Sequence, residues 1–177
     1  LITLVVLGQR FSLRNNVGLR DNFFDKEKNR WKSELGGFPN LDKILESLDG
    51  GRFVANLFDK GFFNLTILWS CNVMEEVIDA ITNGIISKIP EKKTLFRTEE
   101  GRPLSYPLQL KNLGYKPYQE NRNKEKRPDI DTLWHQVRNK IAHHNYKPTF
   151  NETNETIKIL TSFIKEMPMI LHNRNSF

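Results

Sequence analysis

A run of apolar residues at three- and four-residue steps, Phe63, Ile67, Cys71, Met74, Ile78, Ile81, Ile85 and Ile89, leaves this chain few architectures to choose from. At about 100° per residue that spacing draws one stripe along a helix. Trp69, Val73 and Val77 widen the stripe until little of the surface remains for water. A helix with so broad an apolar face has to be surrounded by others, which predicts an all-α, up-and-down bundle of about five helices built around it. The element is expected to start near residue 52, to be interrupted between Asp59 and Gly61, and to stop at Pro90 and the charged Glu91, Lys92 and Lys93.

The flanking segments supply its neighbours. Residues 16–35 mix Leu19, Phe23, Phe24 and Trp31 with many charges, the composition of a surface helix with a narrow apolar face, and Gly36, Gly37 and Pro39 stop it. Asn40 or Asp42 caps a short helix through Leu48, and the pair Gly50 and Gly51 reads as its end. Leu104 to Leu113 makes one further helix. The last helix opens on a capping box of Thr149 and Glu152 and carries Ile157, Leu160, Ile164, Met167 and Leu171, with Pro168 expected to kink or shorten it. The first seven residues, LITLVVL, have strand-like composition and stand apart from the helical pattern. They are far short of a membrane span and lack the basic flank of a signal peptide, and Leu1 in first place fits a fragment or a missing leader. On this reading residues 1–50 are an N-terminal extension and residues 51–177 the bundle.

At 177 residues the chain is large enough for one substantial core. Lysine and arginine number 27 against 21 acidic residues, a net charge of +6 that favours an acidic partner such as RNA. Cys71 is the single cysteine and sits in the apolar stripe, so it is expected to be buried packing in a reducing, cytoplasmic setting.

Chemistry concentrates in LWHQVRNKIAHHNY, residues 133–146. Ile130, Leu133, Trp134, Val137 and Ile141 form an apolar helical face after a start at Pro128, Asp129 and Asp131. Arg138 flanks that face, whereas Asn139 and His143 lie about 40° apart on the polar side, which makes Asn139 a natural orienter of His143. Arg138 and His143 are about 140° apart on an ideal helix, so a second chain is expected to complete any site that uses both. A guanidinium holds a phosphate bidentately, and an imidazole moves protons near neutral pH. Cleavage of RNA through its own 2′-hydroxyl needs those two functions and no metal. The same cations also complement a helix C-terminus without any catalysis.

The string RNKIAH, with arginine, a polar residue beside it and histidine after four residues, resembles the signature of the HEPN superfamily, and LWHQV and HNYKP resemble that family's flanks. The resemblance covers roughly residues 55 to 172. It implies a helical bundle that dimerises with the motif at its two-fold axis, often a metal-independent endoribonuclease of defence, toxin-antitoxin or RNA-processing systems. Arg138 and His143 would be catalytic and Asn139 supporting. His144 also fits the looser spacing, and His144-Asn145-Tyr146 looks like the His-x-Tyr ending of some toxin members, so His144 and Tyr146 rank second. The implied partners are RNA, a second copy, and an antitoxin, sensor domain or other regulatory protein. The rival reading is a non-catalytic module that binds a partner protein or a nucleotide.

Two further stretches carry side expectations. Residues 114–128 form a long connection in which Tyr115 and Tyr118 alternate with Lys116, Arg122, Lys124, Lys126 and Arg127, suited to stacking bases and meeting phosphates, or simply to solvation. Glu75, Glu76 and Asp79 crowd one helix, and Asp131 and His135 sit four apart. The three carboxylates can in principle do acid and base work or, with a histidine, hold a metal, but a charged helix face is ordinarily a solvated one, and Asp131 with His135 is a single pair without a third ligand, so a metal-dependent enzyme is the least favoured reading and no cofactor is expected.

Overall fold

The apolar stripe folds as a single 26-residue helix from Phe63 to Lys88 that buries Ile67, Cys71, Met74, Ile78, Ile81 and Ile85. The computed structural model describes residues 22–115 and 133–173, in which there are six α-helices. These are α1 (Phe23–Glu34), α2 (Leu41–Asp59), α3 (Phe63–Lys88), α4 (Tyr106–Leu113), α5 (Asn139–His144) and α6 (Phe150–Asn173). A 3-10 segment spans Pro90–Leu95, and a π-helical stretch, Leu133–Arg138, runs directly into α5. Among the described residues the one β feature is an isolated bridge between Arg97 and Pro103. The protein is an all-α bundle, with α2 and α6 packed along α3. The strand-like start of the chain lies outside the described residues.

Each fully buried Ile, Leu, Phe or Met contributes about 1.5–3 kcal/mol by leaving water, so α3 is the main anchor of the core. Its buried hydroxyls cost little, because Thr66 Oγ1 donates to the Phe62 carbonyl and Ser70 Oγ to the Thr66 carbonyl one turn back.

The glycine pair does not end a helix. α2 runs straight through Gly50 and Gly51 to Asp59, at the cost of about 1 kcal/mol per glycine relative to alanine. The reason lies in packing: a Cβ on Gly51 would fall 1.9 Å from a ring carbon of Phe24 on α1, and one on Gly50 would fall 3.1 Å from Val73 on α3. Glycine here lets three helices approach. The division placed after residue 50 therefore falls inside α2, and Phe23, Phe24, Trp31, Ile44 and Leu48 share one hydrophobic cluster with α3 and α6.

α1 is the expected surface helix, with Asp25, Lys26, Asn29, Lys32 and Ser33 exposed, but its narrow apolar face is a deep anchor. Trp31 is wholly buried, and its Nε1 donates to the Ile164 carbonyl at 2.9 Å. That carbonyl needs a donor for a specific reason. Pro168, four residues on, has no N–H to give it. The indole takes the proline's place, and α6 continues through Pro168 to Asn173.

Candidate functional site

Leu133 and Ile141 are buried against the bundle and seat the motif segment on α3. The chain is π-helical up to Arg138 and α-helical from Asn139, and such a widened turn is more often found at functional sites than elsewhere. Leu133, Val137 and Ile141 still make the expected inner face.

Arg138 projects from this junction toward α3. Its Nη2 lies 3.7 Å from Glu75 Oε1, with the arginine side chain 35% and the glutamate 15% exposed. That separation is an attraction between charges, longer than a hydrogen bond. Nη1 donates to Asn139 Oδ1 at 3.3 Å. Asn139 thus orients Arg138, where the helical wheel had assigned it to His143. Arg138 and Glu75, with Leu68, Trp69 and Asn72 of α3, line an open cleft of about 290 Å³.

His143 and His144 occupy the last turn of α5 and are both exposed. The structure makes no hydrogen bond between either ring and Arg138 or Asn139 among the described residues. Solvent-facing imidazoles and a half-buried guanidinium can each meet a ligand; they do not assemble a finished site in one chain.

The turn after α5 is firmly built. Asn145 takes the left-handed conformation at φ 53°, which asparagine tolerates, and its N–H closes on the Lys140 carbonyl. Asn64 Nδ2 of α3 donates to the Tyr146 carbonyl at 3.2 Å, and Pro148 is buried beyond it. The capping box forms as expected. Thr149 N–H and Oγ1 both donate to Glu152 Oε2, at 2.7 and 2.8 Å, and Glu152 N–H donates back to Thr149 Oγ1 at 3.2 Å.

Tyr146 joins this box by donating its hydroxyl to Glu152 Oε1 at 2.6 Å, while Lys140 Nζ sits 5.8 Å from the centre of its ring. Hydrogen bonding to Glu152 raises the phenol pKa above its ordinary value. Burial opposes ionisation of Glu152, but the Thr149 backbone, the two hydroxyls and Lys140 outweigh it and hold the carboxyl below the usual glutamate range. Tyr146 is accordingly a neutral brace of the His-Asn-Tyr turn.

The other candidate groups go separate ways. Burial, reinforced by the charge of Glu75, pushes the Cys71 thiol pKa far up, as expected of inert packing. The carboxylates on α3 diverge: Glu75 faces Arg138, Glu76 accepts from Asn72, and Asp79 accepts from the Tyr106 hydroxyl at 3.1 Å. Among the described residues no cluster of three His, Cys, Asp or Glu side chains could hold a metal ion. Tyr115 was expected to stack on a base and is instead buried, its ring edge-on to Phe163 at 5.9 Å. Lys116, Tyr118, Arg122, Lys124, Lys126, Arg127 and Asp131 lie outside the described residues, as does the side chain of His135.

Sequence reading did not connect three side chains of α3 with the motif. Glu75, Asn64 and the exposed face of Trp69 reach the motif only through tertiary packing, and nothing in their local pattern signals it. Among the described helices none is long and apolar enough to cross a membrane. Comparison of the chain with protein-family models, curated proteins and solved structures finds no match in any of the three.

Proposed function

We propose that the chain is a metal-independent endoribonuclease of HEPN type that cleaves single-stranded RNA through the 2′-hydroxyl and acts as a homodimer. Cytoplasmic defence, toxin-antitoxin or RNA-processing systems are its setting. The observation that carries the reading is a half-buried guanidinium that lines an open cleft, at the start of the short helix that ends in two exposed histidines.

The residues divide the work as follows. Arg138 exchanges its 3.7 Å contact with Glu75 for two phosphate oxygens, to which the guanidinium donates two parallel, shorter hydrogen bonds, and offsets the charge that grows on the phosphorus oxygens. One imidazole takes the proton of the 2′-hydroxyl as its oxygen attacks phosphorus. A second imidazole gives a proton to the departing 5′-oxygen, leaving a 2′,3′-cyclic phosphate and a 5′-hydroxyl. His143 from each of two copies fills these roles, with His144 the alternate, and Asn139 holds Arg138 in place.

A second reading has one observation in its favour. Glu75 already neutralises Arg138 within the chain, as a non-catalytic module that binds a partner protein or nucleotide would permit. Cleavage of a mixed single-stranded RNA pool in EDTA separates the two. The nuclease reading expects cutting by the wild type that disappears in Arg138→Ala and His143→Ala, with His144→Ala reporting which histidine matters. Cutting that EDTA stops, or that survives both substitutions, contradicts it.

A further inference from the structure

The cleft beside Arg138 holds more than a phosphate contact. Leu68, Trp69, Asn72 and Glu75 follow one another on α3 at steps of one, three and three residues, so they share a face that leaves the bundle beside the motif helix. Trp69 belongs to the apolar stripe by spacing, yet it is 39% exposed where Ile67, Cys71 and Met74 are buried. Phe53 of α2 packs against its indole at 5.1 Å and 82°, and both rings remain partly exposed. A solvent-exposed aromatic beside a cleft offers a surface on which a planar group can stack.

We infer that this cleft is a nucleobase subsite, in which Trp69 stacks one base of single-stranded RNA, Asn72 bonds to that base's edge and Arg138 holds the adjoining phosphate. The inference rests on the RNA reading above. Asn72 is poised for the role because its Nδ2 donates to Glu76 Oε1 at 2.8 Å, which orients the carboxamide. A carboxamide so fixed offers an acceptor and a second N–H, the pair that reads a base edge. The cleft, open to solvent and about 290 Å³ in volume, leaves room for a planar base. Arg138 at the rim supplies the cation for the phosphate that every such base carries. Phe53, Phe62 and Leu65 are also exposed nearby, which makes burial of the patch by a second copy the competing outcome.

The test is a titration of a labelled, uncleavable 2′-O-methyl RNA oligonucleotide with wild type, Trp69→Ala, Trp69→Phe and Asn72→Ala. Helix content is checked by circular dichroism and mass by sedimentation. Loss of one stacked base predicts about ten-fold weaker binding for Trp69→Ala, with Trp69→Phe close to wild type. Asn72→Ala is expected to weaken binding less and to alter which base is preferred. A wild type that does not bind the oligonucleotide overturns the inference. So does a Trp69→Ala variant that binds as wild type, whether or not its sedimentation changes. Cleavage in the same samples keeps the two readings apart: Trp69-dependent binding without cutting retains the subsite and removes catalysis. Cutting that needs Arg138 and His143 but not Trp69 does the reverse.

Discussion

Two polar contacts at different places in the bundle show how differently the fold treats its hydrogen-bonding groups. Between α1 and α6 the carbonyl freed by Pro168 is met by the Trp31 indole at 2.9 Å, in a wholly buried setting. Between α3 and the motif segment, Glu75 and Arg138 stand 3.7 Å apart, both partly open to water. The first contact is saturated and has no capacity for a ligand. The second is loose enough to be exchanged, and His143 and His144, in the last turn of α5, have no hydrogen-bond partner among the described residues. Function is expected where packing thins and polar groups keep spare valence, not where they are satisfied.

The contrast predicts opposite consequences for substitutions at the two places. At the core contact Trp31→Ala removes a fully buried aromatic and leaves the Ile164 carbonyl without a donor, so unfolding free energy by urea titration is expected to fall by about 3–5 kcal/mol. At the motif, His143→Ala is expected to lower RNA cleavage by about 10²–10⁴-fold while stability changes by no more than about 0.5 kcal/mol. A cleavage loss that merely tracks a loss of stability would erase the distinction. Gly51→Ala lies on the core side: with its Cβ driven into the Phe24 ring, overpacking of about 1–3 kcal/mol is expected, although alanine is the better helix former.

The turn that links the two regions gives the smaller effects. Thr149→Ala removes the cap of α6 and is expected to cost about 1 kcal/mol. Glu152 adds a pH dependence. Its folded carboxyl titrates below the ordinary value of about 4.3, so its contribution is complete above that value and is lost as pH falls through the folded pKa. Stability of the wild type is therefore expected to fall more steeply on the acid side than that of Glu152→Gln, measured by thermal melts from neutral pH downward. Equal slopes would mean that the Tyr146 and Thr149 bonds do not set that titration.

Periodicity was enough to recover α3, α4, α6 and the inward face of the motif segment, because burial of an apolar stripe is a local pattern with a long-range consequence. The capping box at Thr149 and Glu152 was readable for the same reason: all its atoms lie within four residues. Gly50 and Gly51 misled, since a glycine that stops a helix and one that admits a neighbouring ring look alike until the neighbour is known. Pro168 does not end α6, because the Ile164 carbonyl it leaves free is met by Trp31, 133 residues away in sequence. The motif residues were visible as chemistry. Their partners, Glu75 for Arg138 and Asn64 for the Tyr146 turn, come from α3 and have no sequence signal near the motif. Tyr115 looked like part of a basic, aromatic loop, but its ring follows α4 into the core.

The most direct measurement is the chemical nature of the ends that the protein leaves on single-stranded RNA in EDTA, read by mass spectrometry at concentrations high enough for two copies to meet. The assignment of Arg138 and His143 predicts 5′ fragments ending in a 2′,3′-cyclic phosphate, their absence when a single 2′-deoxynucleotide replaces the one cut, and no product from either alanine variant. Intact RNA with folded wild-type protein, or fragments ending in a free 3′-hydroxyl, would contradict it.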